Sequence, residues 1–171
     1  MITHKIINSC QISGSKKLIQ IVNLGLLPPV NQLFKVNSRI NKQNFFDTKL
    51  LYCPVSKLVQ LNVIVNKSIV FPKSYPYTSS TTKILRENFY ELYKEIKKKI
   101  FLDKKKFIID IGSNDGNLLS NFKKDFKVLG ITPENIGKIA IKRGIPTILK
   151  YFNQNVANQI KRKHGRPNII T

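Results

Sequence analysis

Phe107-Ile108-Ile109-Asp110-Ile111-Gly112-Ser113-Asn114-Asp115-Gly116-Asn117-Leu118-Leu119 decides the fold of this chain. Four apolar residues and one acid from Phe107 to Ile111 predict a strand buried on both faces, as in a parallel sheet. Gly112 and Gly116 interrupt the run with a tight turn. Gly112 allows a ligand to approach the backbone closely, and Gly116 permits tight turning or close helix–strand packing. A short helix is expected from Asn117 to about Lys124, with a partial positive charge at its N-terminus. Ligands of open α/β sheets bind outside the carboxyl ends of the strands, which is where this turn lies. Asp110 and Asp115 are candidates to hold an ammonium group or to order water. The spacing is not the dinucleotide G-x-G-x-x-G, and a generic βα turn is the plain alternative.

Downstream, strands and helices alternate. Lys127–Ile131 is a second strand, and Glu134–Arg143 a helix with Gly144 at its C-cap. Gly144–Leu149 is a short third strand, 153–164 a helix, and Pro167–Thr171 the start of a fourth strand. This rhythm implies right-handed βαβ units and a parallel sheet. Rossmann-like sheets carry an acid about 20 residues after the turn, which grips ribose hydroxyls. Here that position is Thr132, which offers one hydroxyl contact; Glu134, two residues on, either substitutes for it or caps the next helix.

Upstream, Leu85, Phe89, Leu92, Ile96 and Ile100 fall three or four apart and predict one apolar face of a helix ending near residue 101. Thr81 or Thr82 suits its N-cap, and Lys97-Lys98-Lys99 suits the dipole of its last turns as a solvated face. Before it, Pro72 to Thr82 is a polar connector carrying Tyr75 and Tyr77. Residues 1–72 read as short β segments: a strand at Leu18–Val22, a turn-rich stretch at Asn23–Pro29, and a strand at Leu58–Val65. Within them, Cys10-Gln11-Ile12-Ser13 and Cys53-Pro54-Val55-Ser56 each match half of a C-x-x-C zinc knuckle, with serine in the second place. A serine hydroxyl is a poor zinc ligand at neutral pH, so the pair reads as two buried thiols or a metal site's relic. The expected architecture is α/β: a small β-rich, zinc-ribbon-like domain over 1–72, a connector and long helix over 73–101, and an incomplete Rossmann-like sheet with flanking helices over 102–171.

Composition limits the function classes. The chain has 171 residues and 42% hydrophobic content, enough for a packed core. No apolar run reaches a membrane span, the start lacks a signal-peptide core, and two cysteines make no disulfide framework, so a reducing cytoplasm is the expected compartment. Thirty Lys+Arg against nine Asp+Glu give a net charge of +21, which by itself invites nucleic acid as a partner. Lys far outnumbers Arg, and the abundance of Lys, Ile and Asn fits an AT-rich coding bias, so nucleic acid is not the expected partner.

Taken in chain order, a distinctive series emerges: the split cysteine knuckle, Asn23-Leu24-Gly25 with Pro28-Pro29 and Asn31, and Leu58-Val59-Gln60-Leu61. It continues with Tyr75-Pro76-Tyr77-Thr78-Ser79-Ser80, Ile109 to Gly116, Leu129-Gly130-Ile131-Thr132-Pro133, Gly144-Ile145-Pro146-Thr147 and Tyr151-Phe152. The series resembles the sugar C-methyltransferases that use S-adenosylmethionine to methylate nucleotide-linked deoxy-keto-sugars. The resemblance implies cofactor binding by Asp110, Gly112, Ser113, Asn114, Asp115, Gly116, Thr132 and Glu134. It implies a phenol facing the sugar from Tyr75 or Tyr77, and zinc ligands at Cys10 and Cys53. In such enzymes a base removes the proton beside the keto group, and the enolate carbon attacks the sulfonium methyl. The sequence departs from that pattern at Ser13, Ser56 and Thr132. The family's histidine-rich catalytic segment and sugar-binding domain have no counterpart among these residues, and His4 and His164 do not match it. The chain is therefore expected to be an N-terminal part of such an enzyme, or a subunit pairing with a separately encoded C-terminal half.

Overall fold

A computed structural model describes residues 3–37, 43–99 and 106–171, which form two compact units, Met1–Phe71 and Pro72–Thr171. The first is built from antiparallel strands: β1 (His4–Ile6), β2 (Ile19–Leu27), β3 (Phe46–Tyr52), β4 (Val59–Leu61) and β5 (Val63–Val65). β1 pairs with β5, and β2, β3 and β4 form a second sheet in that order. A single turn of helix, α1 (Lys67–Val70), closes the unit, capped by the Asn66 side chain on the Ser68 N–H.

Two expectations are corrected here. The stretch from Asn23 is not a turn; β2 runs through it to Leu27. Gly25 adopts φ +73, its N–H is taken by the Asn23 side chain, and the register with β3 shifts there. The glycine is therefore absorbed as a bulge, and the break waits for Pro28-Pro29. Nor is Leu58–Val65 one strand. β4 and β5 lie in different sheets, divided at Asn62, whose side-chain amide donates to the Asp47 carbonyl and accepts from the Lys49 N–H. A buried asparagine that substitutes for ladder bonds lets the chain change sheets without orphaning its backbone.

The second unit holds α2 (Lys83–Lys99), β6 (Phe107–Ile111), α3 (Asn117–Phe122), β7 (Lys127–Ile131), α4 (Gly137–Lys142), β8 (Thr147–Ile148), α5 (Gln154–His164) and β9 (Ile169–Ile170). Its four strands are all parallel, in the order β8-β7-β6-β9. Counted from β6 this is three-two-one-four, the order of the first four strands of a Rossmann sheet. The fold is α/β, as expected. Alternation along the buried strands feeds both faces. Ile108 and Val128 pack with Leu118, Leu119, Phe122, Phe126, Ala140 and Ile145. Phe107, Ile109, Leu129 and Ile131 pack with Val156 and Ile160 of α5.

The spans of β6 and β7 agree with the sequence reading, whereas α3, α4, β8 and β9 are shorter at their ends. Helix α2 docks through Phe89, Tyr93 and Ile96, while Leu92 is exposed, so the apolar stripe is turned by one residue toward Tyr93. The reason is polar: the Tyr93 hydroxyl donates to the Asp125 carboxylate, which also pairs with Lys97 at 2.9 Å. Lys98 pairs with Glu95 at 3.1 Å, so these two members of the lysine run are engaged within the protein. Thr82 directly precedes α2, and its carbonyl accepts the Arg86 N–H. Ile100 and the predicted helix end near 101 lie outside the described residues. Among the described residues no helix is long and apolar enough to cross a membrane.

Candidate functional site

The strand order turns back on itself at β6: β7 and β8 step away on one side, and β9 returns to the other. In open α/β sheets the crevice at such a reversal, beyond the carboxyl ends of the strands, is where ligands bind. Here the carboxyl ends of β6 and β9 present Asp110, Gly112 and Thr171. Asp110 is 8% exposed and accepts the Thr171 hydroxyl at 3.2 Å. Burial pushes its carboxyl above the usual range, and the Thr171 bond opposes this. Gly112 sits at φ +87, where a side chain would be strained, and the space its side chain would take is open.

The rest of the turn is tied into the protein. The N–H groups of Gly112 and Ser113 donate to the Ile131 carbonyl at 2.8 and 3.1 Å, and that of Gly116 to Ser113 at 2.8 Å. These bonds make the turn before the six-residue α3 hold its own backbone donors at Gly112, Ser113 and Gly116. Asp115 is fully buried. Its carboxylate takes the Ser79 hydroxyl at 2.5 Å, the Ser80 hydroxyl, and Arg143 at 3.2 Å. Burial would raise its pKa, but the two serines and the Arg143 charge outweigh this and hold it below the usual carboxylate range. Asn114, at φ 50, accepts the Ser79 N–H at 2.9 Å and donates to the Tyr77 carbonyl at 3.0 Å. Asn117 donates to the Ser79 carbonyl at 3.2 Å, and the Asn135 N–H to the Lys73 carbonyl at 2.8 Å.

The connector thus lies across the ends of β6 and β7, clamped at residues 73 and 77–80. Tyr77 is 46% exposed on this stretch, and Tyr75 is half-buried. At the end of β7 the buried Thr132 hydroxyl donates to the buried Glu134 carboxylate. Tyr151 stands close enough that, after burial, the Glu134 charge raises its pKa. Ser113 is buried, and its hydroxyl has no hydrogen-bond partner among the described residues. Sequence reasoning did not single out Arg143, Asn117 or Tyr151 as site residues. Arg143 reads as a helix end, and only its placement 28 residues beyond Asp115 in sequence and in contact with it in space reveals the pairing.

In the first unit, Cys10, Ser13, Cys53 and Ser56 do come together. Cys10 Sγ lies 3.0 Å from Ser56 Oγ, and Ser13 Oγ lies 3.5 Å from Cys53 Sγ. Both thiols are free and buried. The Ser13 hydroxyl and N–H, then the Ser56 hydroxyl, lower the Cys10 thiol to about 6 against the effect of burial. Ser56 does the same, in direction, for Cys53.

Comparison with known proteins bears on both units. Residues 10–71 match a family described as "Putative zinc binding domain". The chain is 23% identical over 166 residues to C-methyltransferase NovU of Streptomyces niveus. That alignment takes in 96% of this chain and 39% of the relative, so the chain spans well under half the length of the curated relative it matches. Over that stretch the chain is similar to a C-methyltransferase. The resemblance read from its sequence is borne out by both matches.

A methyltransferase relative implies S-adenosylmethionine, and the residues present fit it. There is open room at Gly112, a carboxyl at Asp110 for an ammonium group, and an acid at Glu134 for a ribose diol. Zinc is different. The donor set is two thiols and two hydroxyls, and among the described residues no three of His, Cys, Asp or Glu gather to hold a metal. Tetrahedral structural zinc takes four thiolate or imidazole ligands, and this set does not supply them.

Proposed function

We propose that the second unit binds S-adenosylmethionine at the strand-order reversal, and that the chain serves C-methylation of a nucleotide-linked deoxy-keto-sugar. The observation that carries this reading is the Gly112 turn at the carboxyl ends of β6 and β9, with Asp110 beside it. S-Adenosylmethionine, when bound, supplies an electrophilic methyl group. On this reading Asp110 meets its ammonium group, Glu134 with Thr132 meets its ribose, and Gly112 gives it backbone room. Asn114 and Asp115 act one layer back, by fixing the connector that carries Tyr75 and Tyr77. One of those phenols faces the sugar and handles a proton or an oxyanion.

His164 cannot supply the base, since it stacks on Phe107 at the opposite, amino end of β6. We therefore assign the principal base and most of the sugar site to a C-terminal part, supplied as a separate half or as further chain. The two free thiols suit a reducing cytoplasm. Calorimetric titration of the chain with S-adenosylmethionine tests the cofactor reading. Micromolar binding that Gly112→Val abolishes is expected, and no heat at millimolar cofactor refutes it. Methylation of a keto-sugar nucleotide by the chain alone would refute the assignment of the base.

A further inference from the structure

We propose that the first unit closes its two Cys-x-x-Ser turns with a metal-free thiol–hydroxyl network, and that zinc is not part of its folded structure. The two turns are built alike. The N–H of Gly14 donates to the Cys10 carbonyl at 2.9 Å, and that of Lys57 to the Cys53 carbonyl at 2.8 Å. Each cysteine N–H in turn reaches the segment leaving its own turn, at Ser15 and Leu58, at 2.8 Å. Gly14 sits at φ 71 and Lys57 at φ 61. A lysine held in the left-handed region is uncommon, so the surrounding structure enforces this turn shape.

The linkage between the turns is reciprocal. The thiol of the first meets the hydroxyl of the second, Cys10 with Ser56, and the hydroxyl of the first meets the thiol of the second, Ser13 with Cys53. The Ile12 and Ser13 N–H groups add two contacts at 3.4 Å to Cys10 Sγ. Thiols and hydroxyls each donate one hydrogen and accept others, so these four groups can satisfy one another, and the Ser56 hydroxyl with the Ile12 and Ser13 N–H groups can hold Cys10 as a thiolate without a metal. Four cysteines in the same places would crowd thiolates together and need a cation. Two serines at the second positions remove that need and also remove two of the four thiolate ligands that bind zinc. The two serines are paired, one per turn, and the two turns share one shape.

The proposal is independent of methyl transfer, and its test reads metal content. The full chain, expressed with added zinc and dialysed, is expected to carry fewer than about 0.1 zinc per chain, with a thermal midpoint unmoved by EDTA. The double variant S13C/S56C is expected to retain about one zinc and to lose thermal midpoint on chelation. One retained zinc in the unsubstituted chain, or a midpoint lowered by EDTA, would overturn the metal-free network. A folded double variant that takes no zinc would overturn the claim that the turns keep knuckle geometry. Should S13C/S56C fail to fold, the metal content and chelator response of the unsubstituted chain still decide the proposal.

Discussion

Replacing Asp115 by asparagine should destabilise the second unit by about 2 kcal/mol. The carboxylate is fully buried and takes Ser79 Oγ at 2.5 Å, Ser80 Oγ and Arg143 at 3.2 Å. A hydrogen bond to a charged group contributes about 1.5–3 kcal/mol net, against about 1 for a neutral one. Asparagine keeps the shape, and one serine hydroxyl can still donate to its oxygen while the other turns to accept from its amide. What is lost is the charge on two buried bonds, about 1 kcal/mol each. Arg143 is 43% exposed and regains water, so its share is well under 1 kcal/mol. Alanine at this position leaves both serines without their acceptor and should cost about 4 kcal/mol.

Helices α2 to α5 all belong to the second unit, and the first contributes only the four-residue α1. Far-ultraviolet circular dichroism at the helical band therefore follows the right transition in a urea titration. About 2 kcal/mol corresponds to a thermal shift of roughly 8–16 °C for a domain of this size. The pH dependence is a second check. The folded pKa of Asp115 lies below its unfolded value, so its stabilisation is complete above about pH 5 and fades as pH falls through the folded pKa. The gap between wild type and Asp115→Asn should shrink with it. A difference below about 0.5 kcal/mol at pH 7, or a gap that does not narrow in acid, would refute the reasoning.

Other substitutions probe neighbouring features. In Gly116→Ala the new methyl meets Ile145 Cδ1 at 2.7 Å and Ala140 Cβ at 2.8 Å, at φ +77. A loss of about 2–4 kcal/mol in urea denaturation is expected. Asp110→Asn should raise the urea midpoint at pH 7, because burial lifts the Asp110 carboxyl above its unfolded pKa and penalises the carboxylate. That advantage should vanish below about pH 4, where the carboxyl is neutral in both states, while calorimetry should show weaker S-adenosylmethionine binding at pH 7. Tyr93→Phe removes the hydroxyl shared by Asp125 and Lys97 and should cost about 1 kcal/mol by the same urea titration.

The parallel sheet was legible because its signals are local. Phe107–Ile111 and Lys127–Ile131 are apolar runs bounded by charge, glycine or proline, and their spans need no tertiary information. The first unit was less legible because its strands are largely exposed, and two polar side chains redirect them. Asn23 and Gly25 turn an apparent loop into a bulged strand, and Asn62 splits one apparent strand between two sheets. Nothing in a window of sequence distinguishes an asparagine that ends a strand from one that replaces its ladder bonds. Arg143 was hidden for a related reason: its partner lies in a turn two elements earlier.

Asp115 shows how far local reading reaches at a site. An acid in a glycine turn at the end of a buried strand invites assignment to a ligand, and Asp110, five residues earlier, keeps that possibility. Asp115 is instead surrounded by Ser79, Ser80 and Arg143, leaving its carboxylate no exposed surface. Asn114 adds two bonds to the same connector, at Tyr77 and Ser79. Five hydrogen bonds, counting Asn117 to Ser79, therefore join the turn to the segment carrying both tyrosines. A shift of the turn on cofactor binding must then move Tyr77 with it, because the bonds to the Tyr77 carbonyl and the Ser79 backbone leave no slack between them. On the proposed function, the methyl donor at Gly112 and the phenols of the connector would be placed together, through the bonds that Asn114, Asp115 and Asn117 make to residues 77–80.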